Sequence, residues 1–373
     1  MILRSLSLID FKNIQEADLV FSEGVNCMVG KNGAGKTNLL DAIHYLAFCK
    51  SASNPVDGQN IREGRPFFVV QGTFEEGSES YELTCSMERN KKKRFRKERR
   101  EYDRLADHIG RFPAVLIAPF DLGLVQEGSE KRRRFLDGII SQYQHSYLQD
   151  LLRYNRALSH RNALLKRAQR GEERPEEELE LWEERMSDRG ERIREARKAF
   201  LAAFIPIFRS FHERIAGEEQ VSLEYIPSGE GELREEFRQH REKDLVLGYS
   251  STGPHREDLR FRIRGSALKK FGSQGQQKSY VLALKLAQYA FIRDALNTHP
   301  VLLLDDLFDK LDQERMKALL ELVTGEGFEQ VFVTDTDQGR LEEALEGVEK
   351  ECRFFSVQEG KVIPWNMETT NAL

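Results

Sequence analysis

The chain has 373 residues, 39% hydrophobic and 32% charged, with a formal net charge of −5. That length exceeds one ordinary domain, and the mild negative charge excludes a global positive field, so any hold on nucleic acid must come from local basic patches. Cys27, Cys49, Cys85 and Cys352 show neither pairing nor metal-ligand spacing, and no apolar run nears the roughly 18 residues of a membrane span, which predicts reduced thiols in a soluble cytoplasmic protein without a membrane partner.

Residues 2–9 alternate apolar and polar side chains, the period of a half-buried strand. Residues 24–29 form a short apolar run that leads straight into Gly30-Lys31-Asn32-Gly33-Ala34-Gly35-Lys36-Thr37. This octet fits G-x4-G-K-[ST], in which backbone N–H groups surround a polyphosphate, Lys36 reaches the terminal phosphates and Thr37 ligates Mg2+. Leu39, Leu40, Ile43, Leu46 and Ala47 follow with a helical period, so a helix N-terminus points its dipole at the same phosphates. An ordinary glycine turn leaves the Lys-Thr pair unexplained.

Residues 67–74 and 80–87 read as strands of a small β-rich lobe at about 65–115. Within it, residues 89–100 hold nine basic side chains and one acid, with Phe95 among them. Such a segment suits phosphate contacts through Lys92, Lys93, Arg94 and Arg96, and Arg132 and Arg133 lie in a second cluster. Neither carries a base-reading pattern, so the expected DNA contact follows backbone and shape. The plain alternative is a solvated, charge-rich hairpin.

From residue 130 to about 215 the composition turns to charged stretches with helical spacing. A break at residues 171–175 predicts two long antiparallel helices, with Trp182 and Met186 packing them together. Arms of about 40 residues reach about 60 Å, far short of a several-hundred-residue coiled coil. Residues 221–225 and 259–263 read as further strands.

Ser273-Gln274-Gly275-Gln276-Gln277 precedes a helical stretch, and Val301-Leu302-Leu303-Leu304-Asp305-Asp306 follows some 20 residues later. Alone, the first reads as a serine cap, and the second as a buried strand ending in carboxylates. Together with the glycine loop, Asp305 is placed to hold Mg2+ through water and Asp306 to polarise the attacking water, which makes Lys36 and Asp306 the candidate catalytic pair.

Glycine loop, insertion, S-x-G-Q and Asp strand, in that order, resemble the ABC-type ATPase head. That resemblance implies that Ser273, Gly275 and Gln276 contact the γ-phosphate of ATP held by a second subunit, hence a homodimer closing over two ATP molecules. More specifically, the chain resembles the RecF family of bacterial recombination mediators over nearly its whole length. The resemblance rests on residues 6–13 and 30–46, Ala118-Pro119-Phe120-Asp121-Leu122, Lys131-Arg132-Arg133-Arg134-Phe135-Leu136-Asp137, and Thr252-Gly253-Pro254-His255-Arg256-Glu257-Asp258-Leu259, as well as Gly275-Gln276-Gln277 and Asp305-Asp306. It implies an ATP-dependent protein that binds double-stranded DNA and single-strand/double-strand junctions, dimerises there, and helps RecR and RecO bring RecA.

In this α/β reading, an ABC-type P-loop head (residues 1–128 and 245–373, including the β-rich lobe) carries an inserted antiparallel helical arm (residues 129–244). Lys12 stands where the family usually has arginine and is expected to touch phosphate as a point charge. Asp309-Lys310-Leu311-Asp312 replaces the family's Ser-Glu-Leu-Asp, and Thr334 stands where transporter heads carry a switch histidine. The departure at residues 309–312 bears on the dimer-crossing contacts of that loop; Thr334, with the short base Asp306, predicts slow hydrolysis, a weak, DNA-dependent ATPase used as a switch. Gln59, Gln71 and Gln126 are candidates for the metal-sensing glutamine. The alternative is a chromosome-organising or nuclease-partner ATPase of the SMC type, against which the short arm and Gly253-Pro254-His255-Arg256 argue.

Overall fold

The computed structural model describes residues 1–171, 175–307 and 313–365. It divides into two compact units, residues 1–121 with 285–373, and residues 122–284.

The first unit contains two six-stranded sheets. One is antiparallel, in the order Ile14–Val20, Ile2–Phe11, Phe67–Glu76, Glu79–Glu88, Arg94–Lys97, Arg100–Glu101. The β-rich lobe expected at about 65–115 is therefore not separate, because the N-terminal strand pairs with it, Leu3 opposite Phe74 and Leu8 opposite Val70. The physical reason is a shared apolar face: Leu3, Leu6, Leu8 and Phe11 all lie on the inner side, a register shift between Leu3 and Ser5 interrupting the alternation, and Phe68, Val70 and Phe74 are buried with them.

The other sheet runs Lys361–Pro364, Cys352–Gln358, Val25–Val29, Val331–Asp335, Val301–Leu304, Ala114–Ile117, parallel except for the first pair. Its central strands are apolar on both faces, as a parallel sheet covered on both sides requires. Their carboxyl ends place the glycine loop, Thr334 and the Asp305-Asp306 pair side by side, where ligands bind in open α/β sheets. Thr334 lies on the strand Val331–Asp335, next to its last residue. All four cysteines are free.

His108 lies wholly inside this unit, with Nε2 2.7 Å from the Leu46 carbonyl and Nδ1 3.1 Å from the Tyr102 hydroxyl. A carbonyl only accepts, so Nε2 carries the proton and Nδ1 accepts from Tyr102. Burial pulls the His108 pKa from the ordinary 6.5 down to about 4. The unfolded chain therefore takes up this proton below about pH 6.5 and the folded chain only near pH 4, so the contribution is intact above 6.5 and is lost on acidification between the two. Its upper bound is roughly 3 kcal/mol. Urea denaturation from pH 7 to pH 5 should show stability falling, with a flatter slope in His108→Gln; an equal slope would remove His108 from the account.

The second unit contains helices Ser129–Tyr143, His145–Gln169, Glu176–Ala216 and Leu233–Leu247 and a three-stranded sheet. Arg192 meets Asp150 at 2.8 Å and Arg161 meets Glu183 at 2.8 Å, pairings that run in opposite directions and make the two long helices antiparallel. Part of their expected connection, residues 172–174, lies outside the described residues. The second helix has 41 residues, about 60 Å, whereas its partner has 25, shorter than the expected arm. Trp182 stacks on His160 with ring centroids 4.5 Å apart, and Met186 is buried.

The strand Asp258–Ile263 pairs antiparallel with Val221–Ile226. That pairing carries residues 245–284 into this unit, although the sequence boundary of 129–244 had assigned them to the head. His255 Nδ1 is 2.8 Å from the Tyr154 hydroxyl and Nε2 is 3.1 Å from the Ser250 carbonyl, which ties the Gly-Pro-His-Arg turn to the arm.

Candidate functional site

Val25–Val29 ends at Gly30, whose N–H donates to the Asp335 carbonyl at 3.2 Å. A Cβ at Gly30 would come within 2.1 Å of the Val357 carbonyl oxygen, so the loop's first glycine is required by the backbone of the neighbouring strand. Gly35 has φ 122°, and a Cβ there would come within 2.9 Å of Asn13 Oδ1. Helix Lys36–Phe48 starts at this point, so its first-turn N–H groups and dipole face the loop.

Asn13 holds the loop from outside. Its Nδ2 donates to the Ala34 carbonyl at 3.1 Å and the Gly33 carbonyl at 3.3 Å, and its Oδ1 accepts from Asn38 Nδ2 at 2.7 Å. The sequence reading assigned Asn13 no role. Its one sequence signal is its place in residues 6–13, a stretch that carries the family resemblance; in the structure it follows a turn whose Asp10 and Lys12 both have positive φ.

Lys36 is 3% exposed, and its Nζ donates to the Gly30 and Lys31 carbonyls at 2.8 and 3.3 Å and lies 3.8 Å from Asp306. Thr37 Oγ1 donates to Asp305 Oδ1 at 3.0 Å. Asp305 is 3% exposed, and burial, then the charge of Asp306, pushes its pKa up to about 6 against the pull of Thr37, Thr334 and Lys36. A buried carboxylate raised this way gains from a cation. The Thr37 hydroxyl and the Asp305 carboxylate, 3.0 Å apart, would hold a Mg2+ here, Thr37 directly and Asp305 through water. Among the described residues no group of three or more His, Cys, Asp or Glu could hold a metal.

Lys12 is placed differently from the expectation. Its Nζ pairs with the buried Asp41 at 2.6 Å and donates to Ser53 at 2.8 Å, because Asp41 needs a cation beside its bonds from Ser51 and Ala52. Asp309-Lys310-Leu311-Asp312 lies outside the described residues. Of the glutamines, Gln71 sits within an antiparallel strand, Gln59 within a short 3-10 turn, and Gln126 Nε2 is 3.4 Å from Gln277 Oε1 in the second unit.

In the second unit, the Ser273 N–H donates to Gln276 Oε1 at 2.8 Å and the Gln276 N–H donates to Ser273 Oγ at 3.2 Å, a reciprocal cap on helix Gln274–Leu296. Ser273 and Gln274 are exposed, Gly275 is half-buried, and the Gln276 amide is tied to Glu219 at 2.6 Å.

The basic clusters sort by exposure. Lys92, Arg94 and Arg96 face solvent. Lys93 instead turns inward, pairing with Asp57 at 2.8 Å and donating to the Cys49 carbonyl at the end of the loop helix, where a cation favours the dipole. Phe95 is buried against His108, so it cannot stack on a base. Arg132 forks onto Asp258 at 2.7 and 2.9 Å, and Arg133 donates to the Glu257 carbonyl at 2.8 Å. Lys93, Arg132 and Arg133 are thus paired within their own units, each with a nearby acceptor: Asp57, Asp258 and the Glu257 carbonyl.

The family model of the RecF/RecN/SMC N terminal domain matches residues 2–362. The chain is 46% identical over 366 residues to the DNA replication and repair protein RecF of Phocaeicola vulgatus, covering 97% of this chain and 98% of that one. It is 42% identical over 359 residues to the protein of the same description from Flavobacterium johnsoniae, covering 96% and 100%. The fold is similar to that of a solved recombination mediator protein RecF with ATP, with TM-score 0.89 and 29% identity over 98% of this chain and 97% of that one. The Smc head domain of Pyrococcus furiosus shares the fold at TM-score 0.57 and 16% identity, covering 99% of this chain and 97% of that one. With a glycine loop, a carboxylate-ended parallel strand and near-complete alignment to relatives of this description, the chain belongs to the RecF family.

Proposed function

We propose that this protein acts in DNA replication and repair as an ATP-switched clamp. ATP and Mg2+ bind at the loop of residues 30–37 with Asp305, and Asp306 orients the attacking water. Two copies close over two ATP molecules, each offering Ser273, Gly275 and Gln276 to the other's triphosphate. The closed dimer sits on duplex DNA at single-strand gaps and helps RecR and RecO bring RecA there. The exposed Lys92, Arg94 and Arg96 are its backbone contacts on DNA. In this reading the ATPase head carries the site and the helical segment inserted between its halves is the arm.

The observation that carries the reading is the union of Lys36, Thr37, Asp305 and Asp306 in one crevice, paired with an exposed Ser273 at a helix start. When ATP is bound, Mg2+ supplies Lewis-acid neutralisation of the phosphate charge. Lys36 and the loop N–H groups hold the anionic oxygens, and Asp306 accepts a hydrogen bond from water.

Sedimentation velocity with and without Mg2+-ATP provides the test. The unmodified chain should self-associate with ATP. Ser273→Arg should still bind a fluorescent ATP analogue yet stay monomeric, since the substitution leaves the first site intact and blocks only the surface a partner would meet. No ATP-dependent association of the unmodified chain would overturn the clamp.

A further inference from the structure

Asp306 has φ 43°, a left-handed conformation that costs a residue other than glycine about 1–2 kcal/mol. Its own N–H donates to Thr334 Oγ1 at 2.9 Å. The same hydroxyl lies 3.0 Å from Asp305 Oδ1 and 3.5 Å from Asp306 Oδ1. A hydroxyl has one proton, and having accepted from the Asp306 N–H it gives that proton to the nearer oxygen, Asp305 Oδ1. Thr334 is fully buried on the strand Val331–Asp335, which lies between the loop strand and the carboxylate strand. Its β-branched side chain is stiff about χ1. The chain Thr37, Asp305, Thr334, Asp306 therefore ties the loop helix and two neighbouring strands through three hydrogen bonds.

From this geometry we infer that Thr334 is a positioning residue for phosphoryl transfer, holding the Asp306 backbone in its left-handed turn so that the carboxylate faces Lys36 and the attacking water. The inference rests on the ATPase reading given above. Thr334 does not touch substrate. It aims the group that does, and it fixes the partner oxygen of Thr37 at the same time. The hydrogen bonds of its hydroxyl all go to the two aspartates of the site, which sets it apart from a threonine that merely fills the sheet.

The test compares Thr334→Val, Thr334→Ala and Thr334→Ser. Valine keeps the volume and removes the hydroxyl, leaving the Asp306 N–H without its acceptor. The expected result for Val and Ala is a kcat lower by roughly 10- to 100-fold, from the loss of the hydroxyl's bonds to the Asp306 N–H and the Asp305 carboxylate, at unchanged KM for ATP. Serine, which restores the hydroxyl, should recover most of kcat. If Thr334→Val does not fold, as read by its melting curve, the Ala and Ser pair decides the question. An unchanged kcat in Val and Ala, or a loss that serine does not recover, overturns the positioning role. An unmodified chain without ATPase activity would instead overturn the reading on which it rests, so the two failures are distinguishable.

Discussion

Lys36→Met is expected to lower ATP hydrolysis by roughly 10²–10³-fold, the loss measured when one preorganised donor to a developing anion is removed, and to abolish the proposed ATP-dependent self-association while the melting temperature changes little. The ammonium is 3% exposed, held beneath the loop by the carbonyls of Gly30 and Lys31, and 3.8 Å from Asp306. In such a site water cannot substitute for it, so a charge opposite the phosphates acts nearly unscreened. Methionine matches the length of the stem and adapts to irregular packing, so the fold tolerates the change. Titration with a fluorescent ATP analogue and steady-state phosphate release check the prediction. Wild-type turnover in Lys36→Met would show that the loop does not serve phosphoryl transfer in this protein.

The second large effect is on stability and lies in the helical unit. Arg161 has no exposed surface and donates to Glu183 at 2.8 Å, Asp244 at 2.7 Å and Ser250 at 2.8 Å. Both carboxylates are buried too, and Asp244 also accepts the Ser251 N–H at 3.0 Å. Arg161→Met leaves two buried acids without this cation, which should cost roughly 3–5 kcal/mol. The exposed pair Arg192–Asp150, on the same two helices, serves as the control. Arg192→Met should cost about 0–1 kcal/mol, because solvent screens that pair and its side chains give up rotamer freedom to make it. Urea denaturation of both variants settles the comparison. Equal losses would mean that the buried cluster does not hold the two helices and Leu233–Leu247 together.

How much was legible in advance follows from the range of each interaction. The octet of residues 30–37 could be read because backbone N–H groups need glycines, a lysine and a threonine at fixed short spacing, whatever the rest of the chain does. The strand Val301–Leu304 was legible from its unbroken apolar run. The bonds of Asn13 to the loop and of Thr334 to the two aspartates were not, since an asparagine after a turn and a threonine in a strand have countless ordinary roles, even though Thr334 stood out by its position. Only the pairing of Val331–Asp335 with Val25–Val29 on one side and Val301–Leu304 on the other brings Thr334 onto both aspartates. Lys12, Lys93, Arg132 and Arg133 were read as phosphate contacts because a sequence shows charge but not burial. Each turned out to answer a specific acceptor: Asp41, Asp57, Asp258 and the Glu257 carbonyl.

By itself, then, the sequence determined the phosphate loop, the carboxylate strand, the helical insertion and the family resemblance, all properties of short segments or of their order. Tertiary structure alone decided that the N-terminal strand belongs to the antiparallel sheet with residues 67–101, that residues 245–284 join the helical unit, and which basic side chains remain outside. The difference is physical: local conformation depends on neighbours along the chain, whereas strand pairing and the neutralisation of buried charge depend on partners brought together from far apart in it.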